Sequence, residues 1–219
     1  GKQEETSKAT ATHTGSLAGE YAIYKAMFKQ AGAFEAESAW DAAVAAKALS
    51  MAPSPQGKRL CALTFTAGPC IVAMDKLVAN GWELPDLRPD TKSRIMSIIG
   101  EKTPIAIQNP IDLTGPGFLP KTYVPVLETV LQEDFDAYLV VWNFNPFIRV
   151  PLVEFETMVN RYAHKTIVMV NLASRMEVTS LSESLAARGI CCYPTPEAGA
   201  TALNALLSRH HFLKREELR

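Results

Sequence analysis

The chain has 219 residues, 47% of them hydrophobic, with 22 basic and 23 acidic side chains and a formal net charge of -1. These values are typical of a globular protein with one large or two small domains. The balanced charge without a long basic run argues against nucleic-acid binding, and no stretch approaches the roughly 20 apolar residues of a membrane span. The polar start, residues 1–14, lacks an apolar signal segment, which favours a cytoplasmic protein.

The first segment, residues 1–16, is rich in Thr, Ser, Lys and Glu and predicts an exposed loop. It contains His13, directly before an amphipathic helix that is predicted to begin at Gly15-Ser16 and to stop at Gly32. Free amides and the dipole at a helix N-terminus favour an anion, and a neutral imidazole can attack phosphorus. The alternative is that His13 is a solvated loop residue.

A second helix is predicted from Ser38, which is placed to act as the N-cap. Trp40, Val44 and Ala48 recur on one side of it. The Pro/Gly-rich stretch 53–57 then predicts a linker and a domain boundary.

Beyond the linker, apolar strand-like runs alternate with amphipathic helices. Strands are predicted at 60–65, 105–108, 137–142, 166–170 and 190–193, and helices at 69–80, 123–131, 153–162, 181–188 and 197–208. This alternation predicts an α/β fold with a flavodoxin-like, doubly wound parallel sheet. Such sheets bind ligands at the carboxyl ends of their strands, here the turns after residues 65, 108, 142 and 170.

The first of these turns, residues 66–71, is a second candidate phosphate site. Gly68 allows close backbone approach, Pro69 suits a helix start, and the amides of Cys70 and Ile71 are predicted to face a ligand. A tight structural connection is the alternative. The segment has neither the G-x-G-x-x-G pattern nor a Walker lysine, so it does not predict dinucleotide or direct nucleotide binding.

The turn at 109–115 offers the amide of Asn109 and the carboxylate of Asp112, although Asn-Pro also favours turns for purely structural reasons. The four cysteines form no C-x-x-C pair and are expected to be buried, reduced thiols, with Cys70 packed rather than nucleophilic. No metal site is predicted. The remaining histidines are expected at the surface; they are His164, His210 and His211.

Taken in order, the motifs resemble the NDP-forming acyl-CoA synthetases, the superfamily that includes ADP-forming acetyl-CoA synthetase and succinyl-CoA synthetase. They read THTGSLAG at 12–19, AGPC at 67–70, NPIDLTG at 109–115 and GICCYPTPEAGATAL at 189–203. The second departs from the family pattern G-G-P-G, because Ala67 and Cys70 stand at two of its glycine positions.

The resemblance implies that His13 is the catalytic residue, a phosphoryl carrier between acyl phosphate and a nucleoside diphosphate. It implies that two helix N-termini bind the phosphate, through Thr14, Gly15 and Ser16 at one and Gly68, Cys70 and Ile71 at the other. The implied domains are a phosphohistidine loop with helices (1–52) that ends an adjoining succinyl-CoA-synthetase-like domain, a linker (53–57), a flavodoxin-like CoA-ligase domain (58–209) and a tail (210–219).

The resemblance further implies that this chain is a fragment that is inactive alone. It would need a CoA-binding Rossmann domain and an ATP-grasp domain, either fused to it or as separate subunits. The chain could also form a homo-oligomer. CoA, ATP/ADP or GTP/GDP, and Mg would act in the complete enzyme, with none bound tightly by this chain. Two alternatives stay open: a non-catalytic regulatory or scaffold domain, as in acyltransferase-fused or FdrA-like relatives, and an FMN-binding module, which the fold permits without implying it.

Overall fold

The computed structural model describes Lys2, Thr6 and residues 20–143, 147–172 and 175–218, with the backbone alone at 175–179. The strands are β1 (Leu60–Thr64), β2 (Ile111–Asp112), β3 (Ala137–Asn143), β4 (Thr166–Leu172) and β5 (Cys192–Tyr193). The helices are α1 (Tyr21–Ala31), α2 (Ala39–Met51), α3 (Ala67–Ala79), α4 (Pro89–Ile99), α5 (Thr114–Gly117), α6 (Pro120–Leu131), α7 (Leu152–Arg161), α8 (Arg175–Ala186) and α9 (Pro196–Glu217). None of these helices is long and apolar enough to cross a membrane.

The five strands form one parallel sheet in the order β2-β1-β3-β4-β5. This order and the flanking helices confirm the predicted flavodoxin-like, doubly wound fold. All of β1 is buried, as expected when helices cover both faces of a sheet. Its alternate residues enter two different cores: Cys61 and Leu63 pack on one face, and Leu60 and Ala62 on the other.

The first two helices pack against the rest of the molecule through α9. Val44 and Ala48 of α2 share a core with Leu203 and Leu206 of α9. Trp40 lies on the same side of α2 as Val44, with which it lines a cavity, but 58% of its surface is exposed.

The last helix is longer than predicted. It continues past Ser208 to Glu217, so residues 210–217 are helical. Contacts with α1 hold this extension: the Phe212 ring lies 2.4 Å from where a Cβ on Gly32 would stand, and the Arg215 guanidinium donates to the Lys29 carbonyl at 2.8 Å. Gly32, with φ of 67°, ends α1 in the left-handed conformation as predicted.

Two further predictions need correction. Residues 105–108 do not form a strand; pairing with β1 begins only at Ile111. The sequence reading also missed α4, which begins with proline at its first turn and buries Thr91 and Ile95. The short helix α5 was not predicted either. Helix α1 begins at Tyr21 with Glu20 as its N-cap, whereas the predicted start, Gly15-Ser16, lies outside the described residues. The remaining predicted helices and β1, β3, β4 and β5 are confirmed to within a few residues, except that α8 begins at Arg175 rather than 181.

Gly199 provides a test of how tightly α9 packs on the sheet. A Cβ at this position would lie 2.5 Å from Val170 Cγ2, whereas a Cβ on Gly68 would meet nothing within 4 Å. We expect Gly199→Ala to lower the free energy of unfolding by about 1–2 kcal/mol, because overpacking outweighs the gain in helix propensity. Urea unfolding of Gly199→Ala and of the matched Gly68→Ala measures this difference. Equal stability of the two variants would contradict it.

Candidate functional site

The turns after β1 and β2 lie side by side at the carboxyl edge of the sheet. Thr64 pairs with Asp112 in the parallel ladder, so the chain segments that leave these two residues are neighbours. The structure therefore brings together two of the three predicted motifs, residues 66–71 and 109–115. The third, with His13, Thr14, Gly15 and Ser16, lies outside the described residues.

The N-terminus of α3 has the features of an anion site. The amide of the N-cap residue Thr66 donates to Thr64 Oγ1 at 2.9 Å, and Pro69 has no amide hydrogen. In the first turn of an α-helix, the amides have no intrahelical acceptor, which leaves those of Ala67 and Gly68 for a ligand. Both residues are exposed, and the space beside the Gly68 Cα is open to 4 Å.

This geometry corrects the predicted roles of Cys70 and Ile71. The helix begins at Ala67, two residues before the predicted start, so the amides of Cys70 and Ile71 fall within the helical hydrogen-bonding pattern. The Cys70 side chain is fully buried in the core below the helix, where it does not crowd the N-terminus. Half of the Ile71 surface is exposed.

Cys70 is a packing residue and not a nucleophile. Burial, with a smaller contribution from the charge of nearby Asp112, raises the pKa of its thiol to about 12. Burial likewise raises the pKa of Cys192 to about 12. Since the thiolate is the reactive form, neither sulfur is activated at neutral pH.

The four cysteines are all free and buried, as predicted. We expect a disulfide reagent such as dithionitrobenzoate to modify none of them in the native protein at pH 8 and all four after unfolding in urea. Fast modification of a native thiol would show that burial is incomplete.

The same pKa shifts predict alkaline destabilisation. An unfolded thiol has a pKa near 9.0, and the folded pKa of Cys70 is higher, so the folded protein holds its proton more tightly. The stability that this provides is present in full below pH 9 and is lost as the pH rises towards 12.

Asn109 is a structural residue, which corrects its candidacy as a ligand-binding amide. Its Oδ1 accepts from the Ala62 amide at 3.0 Å, while its Nδ2 donates to the Leu60 carbonyl at 2.7 Å and the Pro85 carbonyl at 2.9 Å. The side chain thus substitutes for a strand backbone beside β1, and both amide hydrogens are used. The Asn109-Pro110 peptide bond is cis.

Asp112 is half-buried at the end of β2, near the start of α3. Its Oδ1 accepts from the Thr114 amide at 2.9 Å, and Thr114 has a φ of 46°, unusual for a residue other than glycine. A carboxylate here faces the same edge as the open amides of Ala67 and Gly68, which suits it to orient a group bound there rather than to hold the anion.

The sequence reading missed Asn143, the last residue of β3. Its Nδ2 donates to Thr66 Oγ1 at 3.2 Å and ties the end of this strand to the N-cap of α3. The available signal was an amide side chain directly after an apolar strand at the carboxyl edge. Within residues 20–143, 147–172 and 175–218, no three His, Cys, Asp or Glu side chains are grouped to hold a metal ion.

Comparison with known proteins identifies relatives over nearly the whole chain. Residues 1–49 match the family model of the succinyl-CoA ligase like flavodoxin domain. The chain is 31% identical over 211 residues to the alpha subunit of acetate–CoA ligase (ADP-forming) I from Pyrococcus furiosus, an alignment that covers 94% of this chain and 44% of the relative. A shorter match, 30% identical over 52% of this chain and 16% of the relative, is 4-hydroxybutyrate–CoA ligase (ADP-forming) from Nitrosopumilus maritimus.

A solved structure also resembles the chain along nearly its whole length. The dinucleotide-forming acetyl-coenzyme A synthetase 1 of Ca. Korarchaeum cryptofilum, in complex with phosphate and ADP, superposes with a TM-score of 0.82 at 28% identity. The superposition covers 99% of this chain and 47% of the synthetase chain. The Pyrococcus subunit and the Korarchaeum synthetase both match most of this chain. The chain spans about half the length of each of them.

Proposed function

Since the chain is homologous to part of the NDP-forming acyl-CoA synthetases, we propose that it supplies the phosphohistidine loop and one phosphate-binding helix of such an enzyme. The observation that carries the proposal is the N-terminus of α3, which leaves the amides of Ala67 and Gly68 open at the same edge of the sheet as Asp112. This arrangement fits a phosphoryl group.

The proposed reaction is a phosphoryl relay. A nitrogen of the His13 imidazole attacks the phosphorus of an acyl phosphate, and the bond between phosphorus and the acyl oxygen breaks to release the carboxylate. The phosphoryl group then passes from His13 to the terminal phosphate oxygen of a nucleoside diphosphate, which yields the triphosphate and regenerates the imidazole. In the reverse direction the same steps activate a carboxylic acid for transfer to the CoA thiol.

The residues described at the sheet edge stabilise charge in this scheme. The amides of Ala67 and Gly68 would donate to the phosphoryl oxygens, with the partial positive charge of the α3 dipole behind them. Thr64 and Asn143 hold Thr66, and thereby the start of α3, in place. Mg would be bound through the nucleotide phosphates, and we propose that the CoA-binding and ATP-grasp parts lie on other domains or subunits.

The test is protein phosphorylation of the natural protein that carries this chain. Labelled acetyl phosphate is added in one arm, and γ-labelled ATP with Mg²⁺ in the other. We expect protein-bound phosphate that is labile in acid and stable in alkali, as phosphohistidine is. Absence of label in both arms would overturn the relay and support the non-catalytic regulatory or scaffold function instead.

A further inference from the structure

A separate cavity of about 320 Å³ lies between α2, α8 and the end of β5. Ligand sites in proteins usually enclose about 300–1,000 Å³ and combine apolar walls with a few polar groups. The residues that line this cavity are Trp40, Ala43, Val44, Lys47, Ser182, Glu183, Cys192, Tyr193 and Pro194. It lies at the opposite edge of the sheet from β2, and β5 is three strand spacings, roughly 14 Å, from β1.

Trp40 provides an exposed aromatic wall. Its surface is 58% exposed, whereas Trp82 and Trp142 are only 3% and 2% exposed. The side chains beside it are small or buried, namely Ala43 and Val44. A flat ring entering the cavity would cover the indole, which is the geometry of aromatic stacking.

The polar groups of the cavity are few. Lys47 Nζ donates to the Cys192 carbonyl at 2.7 Å and lies 5.2 Å from the centroid of the Tyr193 ring, which leaves two of its three N–H groups for another acceptor. Ser182 also lines the cavity, but its Oγ is buried away from the open space, so a ligand in the cavity does not reach it.

The charges in the cavity select the ligand class. Among the residues that the structure describes, Lys47 and Glu183 are the charged ones that line it, and their formal charges cancel. These residues therefore give no net attraction for a phosphate or a carboxylate, but they offer a donor from lysine and an acceptor from glutamate.

We propose that this cavity binds an uncharged, planar nitrogen heterocycle of two fused rings, of the purine kind. The ring stacks on Trp40, its acceptor nitrogen takes a hydrogen bond from Lys47, and its N–H donates to Glu183. This proposal does not depend on the phosphoryl relay, because none of its residues belongs to the turns after β1 and β2.

The test uses benzimidazole and indole, which have the same shape but differ in one acceptor nitrogen. The side-chain N–H resonances of the three tryptophans are followed by NMR at pH 8, with Trp40→Phe assigning one of them. We expect benzimidazole to shift the Trp40 resonance with a Kd on the order of 1 mM, within reach of a ligand of this size. Indole, without the acceptor, is expected to bind about fivefold more weakly.

Two variants locate the site. Trp40→Ala is expected to weaken benzimidazole binding about tenfold or more through lost stacking. Leu49→Ala, an exposed apolar position on the same helix that does not line the cavity, is the matched control and leaves binding unchanged. No shift at about 10 mM benzimidazole, equal binding of indole, or full binding by Trp40→Ala would overturn the proposal.

Discussion

Replacing His13 with alanine is expected to reduce acid-labile protein phosphate to the background level with either labelled acetyl phosphate or labelled ATP. The reason is chemical: the imidazole nitrogen is the proposed nucleophile, and a methyl side chain has no atom that can accept a phosphoryl group. No partial activity is expected, because a relay without its carrier has no alternative route between the two phosphate donors. Filter binding at alkaline pH, followed by acid treatment, measures the loss.

The other three histidines of the sequence provide the matched control. His164 and His211 are exposed and His210 is half-buried, so their joint replacement by alanine leaves the core intact. This triple variant retains only His13 and is expected to take up label as the wild type does. Label that persists in His13→Ala, or that disappears in the triple variant, would assign the phosphate to another residue.

The sheet was predictable because its strands are strongly patterned. β1, β3 and β4 are apolar runs of five to seven residues buried on both faces, and runs of this length between amphipathic helices favour strands over buried helices. The carboxyl edge as the place for ligands followed from the parallel arrangement, whereas the pairing of β1 with β2, which places residues 66–71 beside 109–115, needed the structure.

The errors arise where tertiary contacts replace local signals. The apolar stretch at 105–108 was predicted to be a strand, but beside β1 the Asn109 side chain makes the bonds that a strand backbone would make, and a sequence pattern does not reveal such a substitution. Similarly, residues 210–217 look like a polar tail, yet Phe212 and Arg215 bind α1 and keep α9 helical. The helical spacing placed Trp40 on the side of Val44, but it did not reveal that Trp40 is exposed and lines a cavity.

At the site, the sequence located the helix start but not which amides it leaves free. That detail depends on a shift of two residues in the first turn, which is within the ordinary uncertainty of helix boundaries. Burial of Cys70 could be expected from its place in an amphipathic helix, whereas the bond from Asn143 to Thr66 joins residues 77 positions apart and needed the fold.

Asn109→Ala is expected to lower the free energy of unfolding by about 3 kcal/mol. The substitution removes three hydrogen bonds at once and leaves the Ala62 amide and the Leu60 carbonyl, both on fully buried residues, without this partner. Each buried group that loses its partner costs about 1–3 kcal/mol. Asn109→Asp is expected to destabilise as well, because a carboxylate has no hydrogen to donate to the Leu60 and Pro85 carbonyls.

Urea unfolding of Asn109→Ala and of the neighbouring Gln108→Ala measures this effect, since Gln108 is exposed and its replacement should change stability by less than about 0.5 kcal/mol. A similarly small change at Asn109 would show that its amide does not substitute for a strand. Because Asn109 precedes β2, its loss would also displace Asp112 relative to the start of α3. Phosphorylation and stability are therefore expected to fall together in Asn109→Ala, whereas His13→Ala is expected to lose phosphorylation alone.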